Sequence, residues 1–125
     1  MPTRRTSVLV VEDELLISKL IAEVLSEHGF TVHATEHGEE ALRYIESGGD
    51  VDVLFTDINL PGRLDGSRLA KEVRAQRPEL PIVYCSGRYS LSELAPPVPR
   101  SIFVRKPYDP GELCTLMERL TSSTH

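Results

Sequence analysis

The feature that most constrains this chain is a change of hydrophobic period that repeats along its length. Short continuous apolar runs alternate with stretches whose apolar residues recur at helical spacing. A run that is apolar at every position suits a strand buried on both faces, the condition of a parallel sheet covered by helices. Residues 7–11, "SVLVV", are the first such run. Ile17, Leu20, Ile21, Val24 and Leu25 follow at i, i+3, i+4, i+7 and i+8, which predicts one helix face, closed by Gly29. Residues 30–34 predict a second strand. Residues 38–45 predict a helix with Ala41, Leu42 and Ile45 inward, ended at Gly48 and Gly49. A third strand is expected at 51–56. A helix at 65–76, with Leu69 and Val73 on one face, stops before Pro78. Strands at 81–85 and 101–104 follow, and Pro110 opens a last helix whose face is Leu113, Leu116, Met117 and Leu120. Between those two strands, residues 90–100 ("SLSELAPPVPR") allow only a short helix near Ser92, because Pro96, Pro97 and Pro99 interrupt it. The alternation predicts an α/β chain built on a parallel sheet with helices on both faces.

Such sheets bind ligands outside the carboxyl ends of their strands, so the residues at those ends carry the functional information. The first strand is followed by Glu12, Asp13 and Glu14, and the third by Asp57, with Asn59 two residues on. The fourth is followed by Ser86 and Gly87, and the fifth by Arg105, Lys106 and Pro107. Taken singly, each has an ordinary reading: Asp57 as a turn residue, Asp13 as an N-cap, Ser86 as a loop hydroxyl, Lys106 as a solvated charge. Taken together, the carboxylates repel one another unless a cation joins them. Oxygen-only ligands in small number suit Mg²⁺, which keeps several waters and favours phosphate. A carboxylate such as Asp57 is a competent nucleophile toward phosphorus. Lys106 supplies a point charge for a phosphoryl oxygen and Ser86 a hydrogen bond.

Composition narrows the alternatives. A chain of 125 residues, 40% hydrophobic and 26% charged, suits one soluble globular domain with a core of its own. A formal net charge of -5 argues against a nucleic-acid surface, which needs a basic stripe. The apolar run at 8–11 is too short for a secretory signal or a membrane span, so a cytoplasmic location is expected. Cys85 and Cys114 lack metal spacing and read as small core residues in a reducing compartment. His28, His33, His37 and His125 show no metal spacing either.

Four segments, "VLVVEDE", "DINLPGRLDG", "CSG" and "FVRKP", in this order and at the strand tips, resemble the response-regulator receiver domain of two-component signalling. The resemblance spans essentially the whole chain. It implies a flavodoxin-like, doubly wound five-stranded sheet in the order 2-1-3-4-5, with a shortened or degenerate fourth helix. It implies a single receiver domain over residues 1–125, ordered from about 5 to 121, of the stand-alone or single-domain type. It implies that Asp57 is the phosphoacceptor and also a Mg²⁺ ligand, that Glu12 and Asp13 form the acidic pair, with Asp13 the more direct Mg²⁺ ligand, and that the Asn59 backbone carbonyl also binds the metal. It makes Ser86 the switch hydroxyl, Phe103 the switch aromatic, Lys106 the family lysine and Lys106–Pro107 a cis peptide. The implied partners are a sensor histidine kinase or histidine phosphotransfer protein and an unidentified downstream protein, with no direct nucleic-acid or membrane contact. The chain would be a switch that catalyses only its own phosphorylation and dephosphorylation.

Two departures accompany the resemblance. The segment from Asp57 to Gly66 is one residue longer than the commonest family spacing, with the extra residue near Gly62 and Arg63. The "SGRY" loop places Tyr89 after the switch serine, like receivers with a hydroxyl-Gly-x-Tyr loop, and Arg88 stands where phosphoryl lifetime is tuned. The rival expectation is a constitutive protein-binding module that takes no phosphate. A phosphatase with an aspartate nucleophile is disfavoured, because its second catalytic aspartate would stand where Asn59 does.

Overall fold

The computed structural model describes residues 5–87, 98–106 and 108–121. Five strands, β1 (Ser7–Val11), β2 (Thr31–Thr35), β3 (Val53–Asp57), β4 (Ile82–Ser86) and β5 (Ser101–Arg105), alternate with helices α1 (Leu15–Glu27), α2 (Gly38–Glu46), α3 (Gly66–Gln76) and α4 (Pro110–Thr121). The strands form one parallel sheet in the order β2-β1-β3-β4-β5, as expected.

Successive strand residues point to opposite faces, so the continuous apolar runs supply two cores at once. Leu9, Val11, Leu54, Ile82 and Tyr84 face one way and pack with Ala41 and Ile45 of α2 and Leu69, Ala70 and Val73 of α3. Val8, Val10, Val53, Phe55, Val83 and Cys85 face the other way and pack with Ile21 and Leu25 of α1 and Leu113, Cys114 and Met117 of α4. Both cysteines are buried free thiols, and burial pushes the Cys85 thiol well above its usual range. That makes it a packing residue rather than a nucleophile. No helix among the described residues is long and apolar enough to cross a membrane.

Two sequence expectations are corrected. Strands β2, β3, β4 and β5 each extend one residue further than their apolar runs, taking in Thr35, Asp57, Ser86 and Arg105. Ladder bonds use backbone groups, so polar side chains at the ends do not stop pairing. Leu20, read as inward, is 50% exposed. The buried line of α1 runs through Ser18, Ile21 and Leu25, and Leu20 lies about 130° around the helix from it at about 100° per residue. Gly66, which opens α3, is required by contact. A Cβ there would stand 2.0 Å from the Asp57 carbonyl oxygen, and the Gly66 N–H donates to the Ile58 carbonyl at 2.9 Å. The glycine at the end of α1 behaves as read: Gly29 has φ +92, and the Phe30 N–H returns to the Leu25 carbonyl at 3.1 Å. The shortened helix after β4, the loop residues Arg88 and Tyr89, and Pro107 with its peptide bond lie outside the described residues.

Candidate functional site

The site is built from strand ends, and backbone pairing sets their relative heights. Asp57 closes β3 opposite Cys85 of β4, and Ser86 closes β4 opposite Arg105 of β5. Glu12 follows β1 directly, its N–H donating to the Thr35 carbonyl at 3.0 Å. Lys106 follows β5, its N–H donating to the Ser86 carbonyl at 3.0 Å. Four segments distant in sequence thus finish side by side along one edge of the sheet.

Side chains converge there. Lys106 Nζ donates to Asp57 Oδ2 at 2.9 Å and reaches Glu12 Oε1 at 3.4 Å. Asp57 is only 5% exposed, and its Oδ1 accepts the Asn59 N–H at 3.0 Å. Glu12 is 1% exposed, and its Oε2 accepts the Glu14 N–H at 3.0 Å. Asp13 is exposed at the rim. The capping reading of Asp13 is not realised: the N-cap of α1 is Glu14, and no side chain caps that helix. Glu12, Asp13 and Asp57 each offer a carboxylate oxygen within 4.8 Å of the others. With one ammonium among three carboxylates, the ionised cluster keeps two negative charges that its own side chains do not balance.

The electrostatics follow from that crowding. Burial raises the Glu12 carboxyl above its ordinary value, and the Glu14 N–H and Lys106 oppose the rise only in part. Burial alone would lower Lys106, but the hydrogen bond and charge of Asp57 outweigh it and hold the ammonium firmly protonated. A hard, oxygen-only set with residual negative charge fits Mg²⁺ by donor chemistry and charge.

Ser86 is fully buried, and its Oγ accepts a hydrogen bond from Asn59 Nδ2 at 3.2 Å. Phe103, in the middle of β5, is half-buried and packs toward the core shared by α2 and α3. His28, His33 and His37 are exposed, and His33 stacks on Tyr44 with ring centroids 3.9 Å apart.

Sequence reasoning missed an apolar groove beside this site. Ile17, Leu20, Ile21, Lys106, Tyr108 and Pro110 line a hollow of about 460 Å³ between α1 and the start of α4. Leu15 and Leu16 are also exposed, at 54% and 83%. Leu15 and Leu16 lie outside the apolar stripe read along α1, and that was the available signal.

Residues 8–118 match the family described as the response regulator receiver domain. The chain is 32% identical over 118 residues to the sensor kinase CckA of Brucella abortus, covering 91% of this chain and 12% of that protein. It is 31% identical over 115 residues to the nitrogen assimilation regulatory protein NtrX of Azorhizobium caulinodans, covering 90% of this chain and 25% of that protein. The chain therefore spans a quarter or less of the length of these two curated relatives. The crystal structure of a response regulator receiver protein from Sinorhizobium medicae superposes with a TM-score of 0.90 at 30% identity, covering 98% of both chains. The architecture is accordingly the flavodoxin-like, doubly wound fold.

Proposed function

The chain belongs to the response regulator receiver domain family, and from that premise we propose that residues 1–125 act as one receiver whose phosphoacceptor is Asp57. The observation that carries this reading is the Lys106–Asp57–Glu12 ion cluster with Asp13 at its rim. In the reaction, an Asp57 carboxylate oxygen attacks the phosphorus of a phosphohistidine. The new O–P bond forms as the P–N bond breaks, and the leaving imidazole recovers a proton from solvent. Lys106 holds the carboxylate in place beforehand and offers its charge to the incoming oxygens. Glu12, Asp13 and Asp57, with the Asn59 backbone carbonyl, would hold Mg²⁺. When bound, that ion neutralises charge developing on the phosphoryl oxygens. Ser86 and Phe103 are the elements that respond, Ser86 as hydrogen-bond donor to the phosphoryl group and Phe103 by turning inward. Arg88 and Tyr89 follow Ser86 by two and three residues in the sequence, and Pro107 follows the lysine.

The donor is a protein, a sensor histidine kinase or a histidine phosphotransfer protein. The exposed leucines of α1 and the apolar groove beside them support this, because Lys106 lines both groove and acceptor cluster. A donor helix seated in the groove would bring its histidine to Asp57. The output partner is a further protein that reads the switched surface.

The test is incubation with a small phosphodonor and Mg²⁺, followed by intact mass. One phosphoryl mass should be gained and then lost to hydroxylamine, and Asp57→Asn should gain none. A stable adduct, or one on a serine, overturns the assignment. Metal binding has its own readout. Mg²⁺ titration followed by amide NMR should show weak binding, reduced most in Asp13→Asn. An Asp13→Asn titration identical to the wild type would make Asp13 the wrong carboxylate.

A further inference from the structure

Helix α3 is fixed at both ends, to two different parts of the sheet. At its start, Gly66 lies against the Asp57 carbonyl, and the Gly66 N–H donates to the Ile58 carbonyl at 2.9 Å. Near its end, Arg74 reaches across to the turn that enters β5. Its Nε and Nη2 donate to the Pro99 carbonyl at 3.0 and 2.7 Å, and Nη2 also donates to the Arg100 carbonyl at 3.3 Å. Its Nη1 donates to the carbonyl of Arg77, the C-cap of the same helix, at 2.6 Å. A planar guanidinium bonded through all three nitrogens fixes the orientation of the turn as well as its distance. The fourth strand grips the same turn. The hydroxyl of the buried Tyr84 hydrogen-bonds with the Val98 backbone and the Ser101 side chain, and Ser101 Oγ donates to the Val98 carbonyl at 2.6 Å. Within the turn Arg100 holds φ +58, a conformation that a residue with a Cβ keeps where its surroundings impose it.

The two ends of β5 are therefore held by different means. At the entry, the Arg100 carbonyl accepts the Ile82 N–H at 3.2 Å, so the gripped turn also carries a bond between β4 and β5. At the exit, the Lys106 N–H donates to the Ser86 carbonyl at 3.0 Å, and Lys106 Nζ donates to Asp57 Oδ2 at 2.9 Å. A phosphoryl group on Asp57 changes charge and shape at the exit. The ties at the entry are made by an arginine, a tyrosine and backbone carbonyls at the other end of the strand. We propose that the turn at residues 98–101, gripped by Arg74 and Tyr84, is the fixed pivot of β5, about which residues 103–106 move when Asp57 is phosphorylated. This rests on the phosphoacceptor reading of Asp57. It gives α3 a task besides packing: one helix, seated at Gly66 on the backbone of the acceptor, sets the position of the pivot relative to that acceptor.

Two amides report the two ends, Ile82 at the entry and Lys106 at the exit. The full chain is followed by amide NMR with Mg²⁺, with and without beryllium fluoride as a phosphoryl mimic. In the wild type, the mimic should shift the Phe103 and Lys106 amides and leave those of Ile82 and Ser101 in place. In Arg74→Ala, hydrogen exchange at Ile82 should be about tenfold faster relative to Leu54, whose N–H is bonded to the Pro81 carbonyl at 3.0 Å away from the turn. The mimic should then shift Ile82 and Ser101 as well, while loading from a small phosphodonor, read by intact mass, stays at the wild-type level. Tyr84→Phe removes the second grip without leaving a cavity and should speed Ile82 exchange by about threefold. It decides the matter alone if Arg74→Ala does not fold. Ile82 and Ser101 shifting together with Lys106 in the wild type overturns the proposal, as does silence of Phe103 and Lys106 while the neighbours of Asp57 respond. Wild-type exchange and response in the variants overturns it too, and so does loss of loading in a folded Arg74→Ala, because Arg74 would then serve the acceptor itself. A wild type that gains no phosphoryl mass overturns the phosphoacceptor reading instead.

Discussion

Strands β3 and β5 deliver opposite charges to one point, Asp57 and Lys106 at 2.9 Å, from opposite circumstances. β3 is central, and all five of its residues are buried. β5 is an edge strand, half-buried along most of its length. Asp57 is thus mounted on the part of the molecule that is hardest to move. The lysine and the aromatic Phe103 ride on a part held by fewer apolar contacts. Local opening is easiest where burial is least, so the proposed switch, with Asp57 as its fixed acceptor, would have its moving parts at the β5 edge. Entry to that edge is held by polar ties instead. Arg74 of α3 donates to the Pro99 carbonyl at 2.7 and 3.0 Å and to the Arg100 carbonyl at 3.3 Å.

The comparison is most exposed to paired truncations. Phe55→Ala in β3 removes a fully buried ring and should cost about 3–5 kcal/mol in urea unfolding. Phe103→Ala in β5 should cost less than half of that. Equal costs would end the distinction between the two strands. Gly66→Ala attacks the fixed side through the backbone. The added methyl meets the Asp57 carbonyl at 2.0 Å, so about 1–3 kcal/mol of stability should be lost, together with phosphoryl loading. Loss of stability with normal loading would show that Asp57, as the proposed acceptor, tolerates displacement.

Tyr84 tests the polar ties of the other side. Its hydroxyl hydrogen-bonds with the Val98 backbone and the Ser101 side chain, and burial is the main cause that raises its ionisation above 10.0. Tyr84→Phe should cost about 1 kcal/mol at neutral pH. A raised folded value means that the hydroxyl's contribution is complete below its unfolded pKa and lost as pH climbs through the folded one. The gap between wild type and Tyr84→Phe should therefore close above pH 10, as followed by urea midpoints across pH. A gap that widens there would reverse the sign of the argument. The smallest effect is expected at Arg100, which holds φ +58, a region unfavourable for a residue with a Cβ. Arg100→Gly should leave stability unchanged or raise it by up to about 1 kcal/mol. Its ion pair with Glu79, at 3.7 Å between exposed side chains, adds little against that.

Much of this molecule was legible before folding. The elements of the described residues follow the change of hydrophobic period, and the strand order follows the resemblance carried by the four segments. The groups at the site could be named because each ends or follows an apolar run. The run ends themselves were misjudged, since pairing continues through Thr35, Asp57, Ser86 and Arg105 on backbone bonds that leave no mark in side-chain hydropathy. Leu20 was misjudged because a helix face has a width, and only the neighbouring elements decide where its buried centre lies.

What the sequence determined by itself was the alternation of strands and helices, the two-faced core, and the inventory of carboxylates, hydroxyl and ammonium at the strand ends. These are local or periodic properties, readable one segment at a time. What only the tertiary structure decided was proximity. Residues 12, 57, 86 and 106 share one edge because parallel pairing aligns the ends of strands far apart in sequence. Asn59 bonds Ser86, Gly66 lies against Asp57, and Lys106 borders an apolar groove for the same reason. Distances of this kind are set by register and packing between segments, and no single segment contains them.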